Sequence, residues 1–315
     1  MNKNEIISAL SQNDFSKFYE EADKIKRKNF SDNVYVRAIL EFSNYCGRQC
    51  KYCGINACNN KIKRFRMMPE EMIKTAYDAY SAGYKTIVMQ SGEDSFYTTE
   101  ILSQIVTEIK KCGIIITLSC GERDDYDVLK KSGASRYLLK HETSSRSIYE
   151  YLHPKSSYDN RINCLKTLKK FGYETGSGFM IGLPNQTLET IADDILLLKE
   201  LNCDMAGIGP FIPHPGTPLK NLKAGDTELT KRAVALSRIV MPKIHLPATT
   251  SLGVLSQSEK NDIFSCGANV IMKKVTPDEY KYLYEIYPSK MNATDILNDR
   301  LLLEKQIIEL GCTPV

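Results

Sequence analysis

Short apolar runs alternate with longer amphipathic stretches along most of the chain. The runs that read as strands are 34–42 (VYVRAILEF), 84–90 (YKTIVMQ), 114–122 (IIITLSCGE), 135–142 (SRYLLKHE), 173–182 (YETGSGFMIG), 204–209 (DMAGIG), 244–250 (IHLPATT) and 269–272 (NVIM). Between them the apolar spacing turns helical, predicting helices at 69–83, 98–111, 125–132, 158–170, 187–199, 227–241 and 259–265. Pro69 suits a first helical turn, and Gly83 and Gly113 suit helix stops. Residues 11–33 read as a polar helical lead-in.

Strand–helix units repeated in this way predict an α/β fold, a (β/α)8 barrel of the TIM type. The expected division is an N-terminal helical extension at 1–33, the barrel at 34–290 and a C-terminal helical tail at 291–315. A doubly wound sheet is the competing architecture, but it gathers its chemistry at one switch point. Here polar residues follow nearly every apolar run: Gln90 and Glu93, Glu122, Lys140 with His141 and Glu142, Thr249 with Thr250. A ring of such ends is what a barrel mouth requires. Strand alternation turns His141 away from Lys140 and Glu142, to a structural place outside the lumen.

Composition narrows the class. The chain has 315 residues, a formal charge of +4 and no apolar segment suited to a signal peptide or a bilayer span, which predicts a cytosolic protein. Its densest basic run, KIKRFR at 61–66, is too short for a nucleic-acid face and fits a solvated surface or a lid over an anionic ligand. Ten cysteines in such a protein are expected to be reduced. Cys46, Cys50 and Cys53 stand apart from the rest, three thiols on one loop just past the first strand (NYCGRQCKYCG). That spacing suits a cubane iron–sulfur cluster with one iron left free of protein ligands. A closed zinc site with Cys58 as fourth ligand is the alternative.

The longer blocks carry more. FSNYC at 42–46, YCG at 52–54, QSGED at 90–94, LSCGE at 118–122, RYLLKHET at 136–143, GLPNQT at 182–187, GIGPFIPHPGTPL at 207–219, PATT at 247–250 and CGANVIM at 266–272 resemble the radical S-adenosylmethionine enzymes. Within them the chain is similar to the HydE group of [FeFe]-hydrogenase maturases. The resemblance implies that Cys46, Cys50 and Cys53 bind a [4Fe-4S] cluster whose open iron takes S-adenosylmethionine, yielding a 5′-deoxyadenosyl radical after one-electron reduction. It further implies that Ser91, Gly92 and Glu93 receive the methionyl amino group, that Arg161 faces the carboxylate, that Glu142 lies near the cofactor and that Tyr52 packs toward the adenine. The implied substrate pocket comprises Gln90, Thr117, Lys140, Met205, Thr249, Thr250, Met272 and Tyr284. Lys140 stands where relatives carry arginine, which replaces a two-point clamp by a single contact.

By the same resemblance the substrate is a small, cysteine-bound iron complex carrying CO and cyanide, and the partners are other hydrogenase maturases and a reducing electron donor; no nucleic acid or membrane is involved. The competing readings are a radical enzyme of the methylornithine-synthase or biotin-synthase kind and a non-catalytic iron–sulfur scaffold. Some relatives carry further C-terminal cysteines for a second cluster, but only Cys312 follows Cys266 here. Anaerobic reconstitution is therefore expected to load about four irons per chain, and a content of about eight would overturn the single-cluster expectation.

Overall fold

The computed structural model describes residues 1–288 and 293–315, so the expected boundary at 290/291 lies outside the described residues. Two helices, α1 (Lys3–Leu10) and α2 (Ser16–Phe30), precede the first strand, β1 (Asn33–Ser43). There follow α3 (Pro69–Ser81), β2 (Thr86–Ser91), α4 (Thr99–Lys110), β3 (Ile115–Ser119), α5 (Tyr126–Ser132) and β4 (Arg136–Leu138). Next come α6 (Arg146–Leu152), α7 (Tyr158–Lys170), β5 (Glu174–Ser177), β6 (Met180–Ile181), α8 (Leu188–Glu200), β7 (Met205–Ala206) and β8 (Gly209–Pro210). The last part holds α9 (Thr227–Val240), β9 (Pro247–Ala248), α10 (Thr250–Leu255), α11 (Gln257–Asp262), β10 (Val270–Lys274), α12 (Asp278–Lys281), α13 (Ile296–Glu309) and β11 (Thr313–Pro314).

The main strands pair in parallel in the order β7-β5-β4-β3-β2-β1-β10-β9. The ring closes between β7 and the residues before β9. There Ala206 N–H donates to the His245 carbonyl at 2.9 Å, and His245 N–H donates to the Asp204 carbonyl at 2.9 Å. This is the predicted eight-stranded barrel, with helices outside it.

Alternation along each strand builds two buried layers. On β1 the side chains of Val34, Val36, Ala38, Leu40 and Phe42 join the apolar core. Those of Arg37, Ile39 and Glu41 face the lumen instead. The same rule sends Ile87 and Met89 of β2, and Ile116 and Leu118 of β3, into the core, while Val88, Gln90, Thr117 and Ser119 line the lumen. Register sets the heights: Arg37 lies beside Met272, and Glu41 beside Gln90.

All the predicted strand runs form, with local differences. The run at 173–182 breaks into β5 and β6 around Gly178, whose φ of 150° interrupts the strand. The lead-in begins at Lys3 rather than at residue 11, capped by Asn2 and Glu5 in a reciprocal capping box. Neither α6 nor α10 is legible from apolar spacing, because both are short and follow a strand end closely. The tail contains α13, and β11 pairs with the start of β1. Leu118 is fully buried; Leu118→Ala is expected to cost about 2–5 kcal/mol, read as a lower urea midpoint at unchanged slope.

Candidate active site

The loop after β1 carries the three thiols, and it contains no Asp or Glu between Glu41 and Glu70. Its shape is held through main-chain carbonyls. Arg64 donates to the carbonyls of Asn44, Ile55, Asn56 and Asn59. Asn44 bonds the Lys63 and Leu283 carbonyls at 2.8 and 2.7 Å and accepts from Phe65 N–H at 2.8 Å. Asn56 and Asn59 cap the turn after Cys53 by donating to the carbonyls of Cys53 and Gly54. Arg66 then clamps the returning end of the loop to Asp94 with two bonds of 2.8 Å.

Two glycines let the second and third strand ends approach this loop. A Cβ on Gly92 would meet the Tyr45 carbonyl oxygen at 2.2 Å and Cys46 Cβ at 2.6 Å. Gly121, at φ 76°, leaves room for Glu93, whose Cγ would lie 2.0 Å from a Cβ there. Close packing thus places Glu93 over the β3 end, where Glu93 Oε1 accepts from Glu122 N–H at 3.1 Å.

The thiols act on one another. Burial first, then the neighbouring Cys46, pushes the Cys50 pKa up to about 12. Burial, then Cys50 and Cys46, raises Cys53 well above the usual thiol range. Thiols so placed become thiolates when a cationic centre takes them as ligands. Among the described residues no group of three or more His, Cys, Asp or Glu is arranged to hold a single metal ion. Zinc draws its sulfurs to about 2.3 Å, whereas a cubane presents a separate iron to each thiolate. Cys58, the proposed fourth zinc ligand, is exposed on the loop. The donor set fits a three-thiolate cubane better than zinc.

Beside the thiols lies a network of paired charges. Arg48, between the first two cysteines, bonds the Glu93 carboxylate, Glu122 at 2.9 Å and Ser156 Oγ at 3.3 Å. Arg161, buried on α7, donates to Glu122 at 2.7 Å and to the Lys140 carbonyl at 2.8 Å. Burial opposes ionisation of Glu122, but Arg161 and Arg48 hold its pKa below the usual carboxyl value. Glu142 sits in the left-handed region at φ 66°, a conformation that concentrates at functional sites. Its carboxylate is 3.2 Å from Lys140 Nζ. Tyr52 hydroxyl meets His153 Nε2 at 3.1 Å, and His153 Nδ1 lies 2.8 Å from the Tyr149 carbonyl. That carbonyl takes the Nδ1 proton, so Nε2 accepts from Tyr52. Burial lowers the His153 pKa to about 4, keeping the ring neutral.

The thiols, Arg48, Glu93, Glu142, Arg161, Tyr52 and His153 open onto one cavity of about 370 Å³ that runs down the barrel, while Glu122 stands behind its wall. The residues that the resemblance assigned to cofactor and substrate line it: Cys46, Cys50, Cys53, Tyr52, Ser91, Gly92, Glu93, Glu142 and Arg161, and also Gln90, Thr117, Lys140, Met205, Thr249, Thr250, Met272 and Tyr284. Gln90 donates to the Tyr284 hydroxyl at 3.0 Å. His141 lies outside the lumen, fully buried, with Nδ1 2.9 Å from Ser177 Oγ and Nε2 3.7 Å from Asp194 of α8. Sequence reasoning missed Arg37, Glu41, Arg48, His153, Lys274 and Tyr287, which line the same cavity. Arg37 is more than nine-tenths buried and donates to Met205 Sδ at 2.9 Å. Burial, then Arg136, lowers its pKa only to about 10, so it stays a cation. Two charges at period two inside the apolar run VYVRAILEF were the signal that could have found Arg37 and Glu41.

The pattern of the Radical SAM superfamily matches residues 40–198. The [FeFe] hydrogenase maturase subunit HydE of Thermotoga maritima is 51% identical over 288 residues, which cover 90% of this chain and 83% of that protein. A 3-methylornithine synthase of Methanosarcina acetivorans is 29% identical over 279 residues, covering 87% of this chain and 78% of that protein. The crystal structure of methylornithine synthase (PylB) superposes with a TM-score of 0.85 over 100% of this chain and 94% of that one, at 23% identity, and shows the shared fold. With half of the chain matched by the superfamily pattern and a 51% identical relative covered over 83% of its length, the chain belongs to the radical SAM enzymes and, within them, to the HydE group.

Proposed function

We propose that this enzyme helps assemble the diiron subcluster of [FeFe]-hydrogenase, acting on a cysteine-bound iron complex that carries CO and cyanide and comes from another maturase. The observation that carries the reading is the cavity, which joins the thiol loop at its mouth to Arg37 in its depth, a buried cation with no ion pair among the described residues. The 51% identical HydE relative gives it its direction.

Cys46, Cys50 and Cys53 would hold one [4Fe-4S] cluster, with S-adenosylmethionine on its open iron. Once reduced by a partner electron donor, that pair supplies a 5′-deoxyadenosyl radical and free methionine. The remaining roles belong to the chain. Ser91, Gly92 and Glu93 receive the methionyl ammonium, for which Glu93 must exchange Arg48. Arg161 turns its remaining guanidinium nitrogen to the carboxylate, while Glu122 holds its Nε. Tyr52, fixed by His153, and Glu142 wall the adenosyl side. Arg37, Thr117 and Lys140 offer two cations and a hydroxyl to an anionic complex, and Thr117 Oγ1 is buried without a hydrogen-bond partner among the described residues. Gln90, Met205, Thr249, Thr250, Met272 and Tyr284 complete the wall. The barrel keeps bulk water from the radical.

The place of Cys312 supports the reading of a single cluster. It precedes β11 beside the start of β1, at the opposite end of that strand from the thiol loop. Among the described residues no helix is long and apolar enough to cross a membrane, and we place the protein in the cytosol.

Reduced, reconstituted protein is expected to release 5′-deoxyadenosine from S-adenosylmethionine and to restore in-vitro hydrogenase maturation when the HydE component is left out. Cys50→Ala abolishes both. Cleavage without maturation would sink the hydrogenase assignment and favour a methylornithine-synthase-like activity; no cleavage at all would leave only an iron–sulfur scaffold. Arg161→Met is expected to keep the cluster but weaken S-adenosylmethionine binding roughly 10- to 100-fold, the loss of a charge-assisted pair, by titration calorimetry.

A further inference from the structure

Glu41 is the acidic residue of β1 that faces the lumen, and its side chain is only 4% exposed. Its neighbour across the sheet is Gln90, whose amide bonds Tyr284. Lys274 of β10 reaches one carboxylate oxygen, Oε1, at 2.9 Å. The other oxygen, Oε2, is buried without a hydrogen-bond partner among the described residues. Tyr284 and Tyr287 stand close enough to feel its charge, and Tyr287 shares a hydrogen bond with Thr250. All six residues line the cavity.

An ionised carboxylate in such a place has to be paired and hydrogen-bonded to be tolerated. Lys274 meets Oε1, and Lys281 and the Thr276 hydroxyl add weaker support. Burial outweighs them together and lifts the Glu41 pKa to about 7, and Oε2 is the oxygen left without a hydrogen-bond partner among the described residues. Arg37 presents the opposite imbalance four residues earlier on the same strand face, a buried guanidinium that donates to a thioether. At about 3.3 Å of rise per residue the two Cα atoms are roughly 13 Å apart. The lumen is thus polarised along its axis: among the described residues a guanidinium without an acidic partner lies deep in the barrel, and a carboxylate with one oxygen unpartnered lies nearer the mouth. A ligand with an anionic end and an amino end matches that polarity in one orientation.

We propose that Glu41, held through Oε1 by Lys274, receives on Oε2 the amino group of an amino-acid-bearing substrate. The inference rests on the reading of the cavity as a substrate site and adds the subsite that orients the amino acid within it. Charge-assisted hydrogen bonds of this kind contribute strongly because the lumen is dry.

The test uses two probes that differ only in the amino group, S-methyl-L-cysteine and 3-(methylthio)propionate, titrated calorimetrically into reconstituted protein saturated with S-adenosylmethionine. The wild type is expected to prefer the amino-bearing probe by roughly tenfold or more, the equivalent of one hydrogen bond to a charged group. In Glu41→Gln the preference shrinks to about twofold, because the charge is gone while the shape stays. A wild type indifferent to the amino group, or one that takes neither probe at millimolar concentration, overturns the proposal without recourse to any variant. So does a Glu41→Gln protein with full cluster content and an undiminished preference, which would assign Oε2 to a buried water. Release of 5′-deoxyadenosine by the wild type, measured separately, distinguishes failure of this subsite from failure of the radical-enzyme reading.

Discussion

The structure turns on how one acid-free loop is held in shape around three half-buried thiols. Carboxylates near the cluster ligands would raise the cost of forming three thiolates, and the loop has none between Glu41 and Glu70. It therefore folds through side chains that satisfy carbonyls. Arg64 alone takes four of them, and buried carbonyls without such donors would carry a desolvation penalty of their own. A positive loop held through its backbone keeps its charge available to offset thiolates. The acids it needs as anchors, Glu93, Asp94 and Glu122, come from neighbouring strand ends instead, where Arg48 and Arg66 reach them.

That division explains the ion-pair network beside the thiols. Arg48 and Arg161 share Glu122, which Asn160 also bonds at 2.6 Å. A carboxylate with three donors is fully satisfied, so it stays where it is and holds both guanidiniums in place. Glu93 differs. It takes Arg48 on one oxygen and a backbone N–H on the other, so an incoming ammonium exchanges one cation for another rather than meeting a bare charge. The penalty for burying the acid is met before the cofactor arrives.

Much of this was legible in the sequence, and the reasons differ by residue. The strands were visible because both of their faces are buried, so apolar runs stand out against the amphipathic helices. The mouth of the barrel was visible because Gln90, Glu93, Glu142 and Thr249 stand at or within a few residues of the ends of apolar runs. The cysteine triplet was visible from spacing, but its roles near the cofactor came from family blocks rather than from chemistry. What stayed hidden is what spacing does not encode. His153 carries no signal in the sequence, and only the fold brings its ring onto Tyr52. Arg48 lay in plain view inside the triplet, yet its meaning depends on two acids that the chain reaches 45 and 74 residues later. The split at Gly178 and the short α6 and α10 depend on backbone geometry at strand ends, where periodicity has too few residues to register.

Arg37 and Glu41 show how the barrel's own grammar carries function. The period of two that makes β1 a core strand gives its other face to the lumen, so every second residue is free of the demand to be apolar. Placing Arg and Glu there, with Ile39 between them, costs the outer core nothing, since Ala38 and Leu40 remain fully buried among the helices. The cost falls inside the lumen, where two charges lie without full compensation. Stability alone would favour apolar lumen residues at both positions, as in the interior layers of most barrels. Two partly compensated charges of opposite sign on one strand face are therefore better explained by what the cavity must hold than by what the fold must bury.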